Sequence, residues 1–178
     1  ALKAIYLHEM DRFRRTLAQS LLSPVLSTSL YFIVFGSVIG GYVQKIDGIS
    51  YGSYIVPGLL MLTLLTQSIS NTSFGIFFPK FNGTIYEILA APISTLEVVL
   101  AFVGAGATKT LIVSLVIFIT SIFFVDVYVK FPLLMIFLLI LVAFTFALFG
   151  FLIGLMSSDF EQMSIIPTLF ITPMVFLG

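Results

Sequence analysis

The sequence predicts an all-α integral membrane protein that crosses the bilayer about five times as a polytopic helical bundle. Hydrophobic residues make up 60% of the chain and charged residues 9%, whereas a soluble domain carries about 25% charged residues. Long apolar runs are the second observation, since a helix needs roughly 20 apolar residues to cross a bilayer. Strands of alternating polarity, typical of outer-membrane barrels, are absent. Lipid must therefore be the solvent for most of the chain.

Charges and turn residues set the boundaries of the predicted spans. A polar segment at 1–16 comes first, and a single transmembrane domain at 17–178 follows it. Because the last apolar run continues to residue 178, we expect the chain to stop inside a span. The expected spans are about 17–41, 54–77, 95–124, 131–156 and 163–178.

Lysine and arginine are distributed unevenly between the two sides of these spans. Four basic residues precede the first span and Lys80 follows the second, whereas the loops after the first and third spans hold one lysine each. Cytoplasmic loops carry an excess of basic residues. We therefore expect the N-terminus, the 79–97 loop and the 157–162 loop to be cytoplasmic.

Residues 1–16 are predicted to form an interfacial amphipathic helix. Glu9, Arg14 and Arg15 are assigned to its polar side, which suits either an anchor on anionic lipid or a lever beside a cytoplasmic partner. Apolar side chains recur at spacings of three and four residues and share one stripe: Leu2, Tyr6, Met10, Phe13 and Leu17.

Two pairs of glycines have the spacing that lets helices approach closely. Gly36 and Gly40 lie in the first span, and Gly150 and Gly154 lie in the fourth. Small residues four apart on one helix face allow two backbones to come into contact. We expect these glycines to pack helices, within the chain or between two copies.

Prolines and polar side chains interrupt the second and fifth spans. Pro57 predicts a kink or a late start of the second helix. Gln67 and Asn71 lie in its polar inner half, where such side chains hydrogen-bond neighbouring helices or line a substrate path. Pro167 and Pro173 are expected to bend or break the fifth helix, as is common along a pathway. These residues are the pathway candidates.

The loop at 79–95 is predicted to contain a short helix. Thr84 has Glu87 three residues later, the spacing of a capping box, and Pro92 stops a helix over Ile85–Ala91. Ile85 and Leu89 would share one apolar face. The third long helix is then expected to begin at an N-cap supplied by Ser94 or Thr95, with Glu97 in its first turn. A short capped helix between two spans suits docking to a soluble partner.

The sequence offers no constellation for catalysis or metal binding. There are no cysteines, and the single histidine, His8, has no metal-ligand cluster around it. The stretch Gly104–Thr110 has Thr108 where a phosphate-binding loop needs glycine, so no nucleotide site is expected. Lys109 is expected within one turn of the inner interface, where its stem reaches water; a buried functional lysine is the alternative.

Three local marks, in this order, carry a family resemblance. They are Tyr54-Ile-Val-Pro57-Gly58 at the second span, Tyr86-Glu-Ile-Leu-Ala-Ala-Pro92-Ile-Ser94 in the loop, and the pairs Pro167-Thr168 and Thr172-Pro173 in the fifth span. With them the chain resembles the permease subunits of bacterial type-2 ABC exporters, the group of drug-efflux, nodulation lipooligosaccharide and polysaccharide export permeases.

The resemblance implies a multi-pass permease of the bacterial inner membrane with six spans, of which the sixth and a preceding re-entrant hairpin lie outside this sequence. Residues Phe13, Arg14 and Arg15 would belong to the interfacial helix. The short helix of the loop would couple the chain to an ABC ATP-binding subunit through Thr84, Ile85, Tyr86, Glu87, Leu89, Ala91, Pro92 and Ile93.

The resemblance further implies a homodimer with a substrate path along the first, second and fifth spans. ATP and Mg²⁺ would bind in the partner subunit, and this chain would bind no cofactor and no nucleic acid. The expected function is ATP-driven export of an amphipathic, lipid-type or polysaccharide-type substrate or a drug. A secondary transporter or channel subunit that works without an ATPase is the alternative.

Overall fold

A computed structural model describes residues 2–35, 42, 45, 46 and 48–177, and the described chain is almost entirely helical. The predicted all-α polytopic fold is therefore confirmed. A short antiparallel hairpin, β1 (Lys45–Ile46) and β2 (Ile49–Ser50), pairs Lys45 with Ser50. The helices of the described residues are α1 (Leu2–Arg15), α2 (Leu17–Val34), α3 (Tyr51–Phe81), α4 (Ile85–Ala90), α5 (Thr95–Phe124), α6 (Pro132–Met156) and α7 (Phe160–Leu177).

Four of these helices, α2, α3, α5 and α6, are long and apolar enough to cross a membrane. The end predicted for the first span, at 41, lies outside the described residues. Helix α3 begins before the expected position and is not delayed by Pro57, because Ser50 caps it: the Ser50 hydroxyl accepts from the Ser53 amide at 3.3 Å. Helix α7 runs continuously through Pro167 and Pro173, so the expected break does not occur.

Helix α3 is the centre of the bundle and packs against both α5 and α6. A Cβ added at Gly150 would overlap the Ile69 backbone, and one at Gly154 would overlap the Ser73 backbone. Glycine is required there because α6 lies directly on the main chain of α3. Gly150 and Gly154 thus pack helices within the chain, whereas Gly36 and Gly40 lie outside the described residues.

Helix α1 lies along α5 with its apolar stripe turned towards the bundle. Phe13 is only 4% exposed and packs in a cluster with Phe32, Val56 and Val113. Along the predicted stripe the protein buries Phe13 and partly buries Leu2, Tyr6 and Met10, whereas Leu17 is 37% exposed. Arg14 and Arg15 are exposed on the other side of the helix.

Candidate coupling surface

The chain turns sharply between α3 and α4. Gly83 adopts φ 79°, a left-handed conformation that side-chain-bearing residues rarely adopt. Thr84 is already helical, and its hydroxyl donates to the Pro79 carbonyl at 3.3 Å. The predicted capping box of Thr84 with Glu87 is therefore wrong, because the turn at Gly83 directs the hydroxyl to an unpaired carbonyl at the end of α3.

Helix α4 has one face on the bundle and one face in solvent. Ile85 and Ile88 pack against the main core cluster beside Ile76. Tyr86 is 73% exposed and Leu89 is 69% exposed. The expected apolar docking face of Ile85 with Leu89 is wrong, because α4 packs on the bundle through Ile85 and Ile88, which turns Ile85 inwards and leaves Leu89 exposed. The exposed apolar pair is instead Tyr86 and Leu89.

Helix α4 is joined to α5 by a short, well-defined connection. Ala91 is extended, Pro92 is exposed, and the chain enters α5 at Ser94. The Ser94 hydroxyl accepts from the Glu97 amide at 3.3 Å, and the Glu97 carboxylate accepts from the Ser94 amide at 3.2 Å. This is a complete capping box, which fixes the first turn of α5 directly after the connection from α4.

Lys80 ties the end of α3 to the end of α6. Its Nζ donates to the Leu155 carbonyl at 2.7 Å and to the Ser157 carbonyl at 2.8 Å. A cation at a helix C-terminus satisfies unpaired carbonyls and interacts favourably with the helix dipole. From the sequence, Lys80 is recognisable only as a basic residue that supports a cytoplasmic loop, since nothing in the sequence places it beside Ser157.

Phe160, the first residue of α7, packs at the same end of the bundle. Its ring centroid lies 4.9 Å from the ring of Phe77 and 4.9 Å from the ring of Phe81. Edge-to-face contacts of this kind stabilise aromatic clusters. The ends of α3 and α6 and the start of α7 therefore meet beside α4.

A buried ion pair fastens α1 to α5. Lys109 Nζ lies 2.7 Å from Glu9 Oε2, and their side chains are 5% and 3% exposed. Arg12 Nη2 lies 2.9 Å from the same oxygen, and the Tyr6 hydroxyl donates to Thr108 at 3.0 Å. The expectation that Lys109 reaches the interface is wrong, because α1 covers this part of α5 and supplies a partner. The assignment of Glu9 to the polar side of α1 is wrong for the same reason.

A signal for Glu9 was present in the sequence. It lies three residues after Tyr6 and four before Phe13, which is the spacing of the apolar stripe itself. Gly75 of α3 lies next to the carboxylate, since a Cβ there would be in ordinary van der Waals contact with Glu9 Oε2 at 3.5 Å. A carboxylate on an apolar stripe indicates a buried partner of opposite charge.

The pathway candidates are not gathered at one place. The Asn71 amide donates to Gln67 and to Thr110 of α5, both at 3.4 Å. Pro57 lies more than two turns away on the same helix, at the end of the bundle opposite α4. Pro167 is buried and Pro173 is exposed, both on α7. A role for these residues in a substrate path stays a prediction.

Comparison with known proteins gives one consistent result. The family model described as ABC-2 type transporter matches residues 1–178. The chain is similar to the inner membrane transport permease YadH of Escherichia coli strain K12 and to its counterpart in Shigella flexneri. Each is 37% identical over 178 residues, which is 100% of this chain and 70% of the relative. No solved structure matches the chain.

Proposed function

Because the chain belongs to the ABC-2 type transporter family and is a multi-pass inner-membrane transport permease rather than an enzyme, we propose that its motor is a separate ATP-binding subunit. In this proposal ATP and Mg²⁺ bind in that partner. The sequence supports this division of labour, since Gly104–Thr110 lacks the glycine that a phosphate-binding loop needs before its lysine. This chain would then convert the movement of the motor into export.

The outward face of α4 is the observation that carries the proposal. Tyr86 and Leu89 of α4 are largely exposed, while Ile85 and Ile88 hold the same short helix on the core. Exposed apolar side chains on a rigid support are typical of an interaction site. We place the ATP-binding subunit on this face.

The contacts around α4 suit the transmission of a movement. The Ser94–Glu97 capping box fixes the first turn of α5 directly after the connection from α4, and the Glu9–Lys109 pair joins α5 to α1. Lys80 joins α3 to the end of α6. A push on α4 would reach α3 and α5 through the chain itself, and from them α6 and α1 through these side-chain contacts, which is the connection that a coupling helix requires.

The remaining parts of the proposal concern assembly and substrate. Two copies of the permease would form the transporter, with the substrate path along α2, α3 and α7. The substrate would be amphipathic, of a lipid, polysaccharide or drug type, and would leave the cytoplasm. The excess of lysine and arginine before α2 and in the 79–97 loop supports a cytoplasmic N-terminus and a cytoplasmic α4.

Replacing Leu89 by aspartate tests the docking site. A carboxylate pressed into an apolar groove loses its hydration without gaining a partner, so we expect Leu89→Asp to lower co-isolation of the ATP-binding subunit at least roughly tenfold. Met156→Asp is the matched control, because Met156 is 79% exposed at the same end of the bundle but outside α4. Both variants are purified as full chains from membranes and compared for the amount of ATP-binding subunit retained.

Two outcomes would contradict the proposal. A full complement of ATP-binding subunit with Leu89→Asp would show that α4 is not the docking site. Transport that continues after removal of ATP and is unchanged in Leu89→Asp would indicate a secondary transporter or channel instead.

A further inference from the structure

A cleft of about 870 Å³ lies between α3 and α6 at the end of the bundle opposite α4. Phe118 of α5 also lines the cleft, and residues 126–131 of the loop between α5 and α6 line one end of it. Polar side chains gather in that loop and in the first turn of α3. The deeper walls are apolar and include Val56, Leu60, Met61, Met135, Leu138 and Leu139.

The loop between α5 and α6 is fixed to the first turn of α3. The Ser53 hydroxyl donates to the Asp126 carbonyl at 2.8 Å. A Cβ added at Gly52 would overlap the Val125 side chain, so the loop and the helix are in close contact. By contrast, a Cβ added at Gly58 has no neighbour within 4 Å, and Gly58 lines the cleft. The cleft is thus unfilled by protein beside Gly58, and the loop at one end of it is held in place against α3.

One acidic and one basic side chain lie at this end. Asp126 and Lys130 are both exposed and both line the cleft. Within the residues that the structure describes, the ion pairs involve Glu9, so neither Asp126 nor Lys130 has a partner of opposite charge. Lys130 Nζ lies 5.5 Å from the ring centroid of Phe131.

Two tyrosines mark the depth of this end in the membrane. Tyr54 is 57% exposed and Tyr128 is 90% exposed, and both line the cleft. Tyrosine is enriched where the bilayer meets water, because its ring is apolar and its hydroxyl is polar. The charged end of the cleft therefore lies at headgroup level and its apolar walls at the level of the acyl chains.

We infer that this cleft binds one zwitterionic glycerophospholipid of the membrane. An acyl chain fills the space between α3 and α6, and the volume lies in the range of about 300–1,000 Å³ that is usual for ligand sites. Lys130 pairs with the phosphate and Asp126 with the headgroup ammonium. An anionic headgroup would place a negative charge near Asp126, and it has no ammonium group with which the Asp126 carboxylate could pair. The inference depends on the cleft alone and not on ATP-driven export.

The test is native mass spectrometry of the full chain, released from bilayers that contain equal amounts of phosphatidylethanolamine and phosphatidylglycerol. We expect one retained lipid per chain, with phosphatidylethanolamine in excess. Gly58→Phe should reduce the retained lipid at least about tenfold, because the ring takes the place of several buried methylenes. Ser70→Phe, at an exposed position of the same helix, should leave it unchanged.

Asp126→Asn provides a second variant that does not alter the apolar walls. It should lower the preference for phosphatidylethanolamine over phosphatidylglycerol roughly fivefold, because the ammonium loses its charged partner. Absence of lipid from the unmodified chain would overturn the inference, as would equal retention by Gly58→Phe and Ser70→Phe. If Met61→Cys cross-linked two copies of the chain and no lipid were retained, the result would show that a second chain occupies the cleft.

Discussion

At the scale of single residues, the Glu9–Lys109 pair is the feature with the largest energetic consequence. Both side chains are almost fully buried, and their charged atoms are 2.7 Å apart. Removing one partner of a buried pair leaves an uncompensated charge, which costs more than the pair itself contributes. The pair therefore determines where α1 can lie without being a strong net source of stability.

Glu9→Gln is expected to destabilise the chain by about 3–5 kcal/mol, because Lys109 would remain buried without a carboxylate. Glu9→Gln combined with Lys109→Met should recover most of this loss, since the buried lysine charge is then gone and Arg12, the other partner of Glu9, has a side chain that is 31% exposed to solvent. Glu87→Gln, at an exposed position, is the control. Unfolding in detergent, followed by helical circular dichroism, measures the difference. If the double variant were as unstable as Glu9→Gln alone, burial of the unpaired lysine would not be the cause.

Residue-scale features were predicted least well from the sequence. Lys109 stood out as a lysine inside an apolar run, but its partner lies 100 positions away in the chain. Only the packing of α1 on α5 brings the two together. The predicted cap at Thr84 failed for a related reason, since the positive φ of Gly83 redirects the hydroxyl to Pro79.

At the scale of helices, the boundaries followed closely from local chemistry. Helix α5 spans Thr95–Phe124, the bounds expected from the sequence, and Ser94 caps its first turn. Helix α3 is longer than predicted, because Ser50 caps it early and its prolines lie inside a helix that neighbours support on several sides. The spacing of apolar residues along each helix did not reveal which helices are in contact. Helix α3 is nearly uniform in polarity around its circumference, so no face of it is marked as the inner one.

Because α6 is in close contact with α3, we expect two glycines to differ in how their replacement by leucine changes the stability of the chain. Gly150→Leu should destabilise the chain by about 1–3 kcal/mol or more, because its side chain would overlap the Ile69 backbone. Gly58→Leu should be neutral or stabilising by up to roughly 1 kcal/mol, since no atom lies near its Cβ and leucine favours a helix. Thermal unfolding of the two variants in the same detergent compares them directly. Equal melting temperatures would show that α6 does not lie on the α3 backbone.

At the scale of the whole molecule, the two ends of the bundle differ in chemistry. One end carries α4, Lys80 and the start of α7, and the other carries the β1–β2 hairpin, Asp126 and Lys130. Lysine and arginine before α2 and near α4 outnumber those at the opposite end. The distribution of lysine and arginine along the sequence was therefore enough to predict which end of the bundle is cytoplasmic. It could not predict which side chains meet inside the bundle, because that depends on how the helices pack.

The orientation predicts which end each reagent reaches. The chain has no cysteine, so a single introduced thiol reports its own side of the membrane. Thr84→Cys lies beside α4, and Tyr42→Cys replaces a residue that is 90% exposed in the connection after α2. We expect an impermeant thiol reagent to label Tyr42→Cys in intact cells whose outer membrane has been made permeable. Thr84→Cys should react only in inside-out vesicles, because the basic residues hold its end in the cytoplasm. If both thiols reacted from the same side, the chain between them would cross the membrane an even number of times, and the predicted topology would be wrong. Reaction of Thr84→Cys from the outer side would also exclude docking of a cytoplasmic motor on α4.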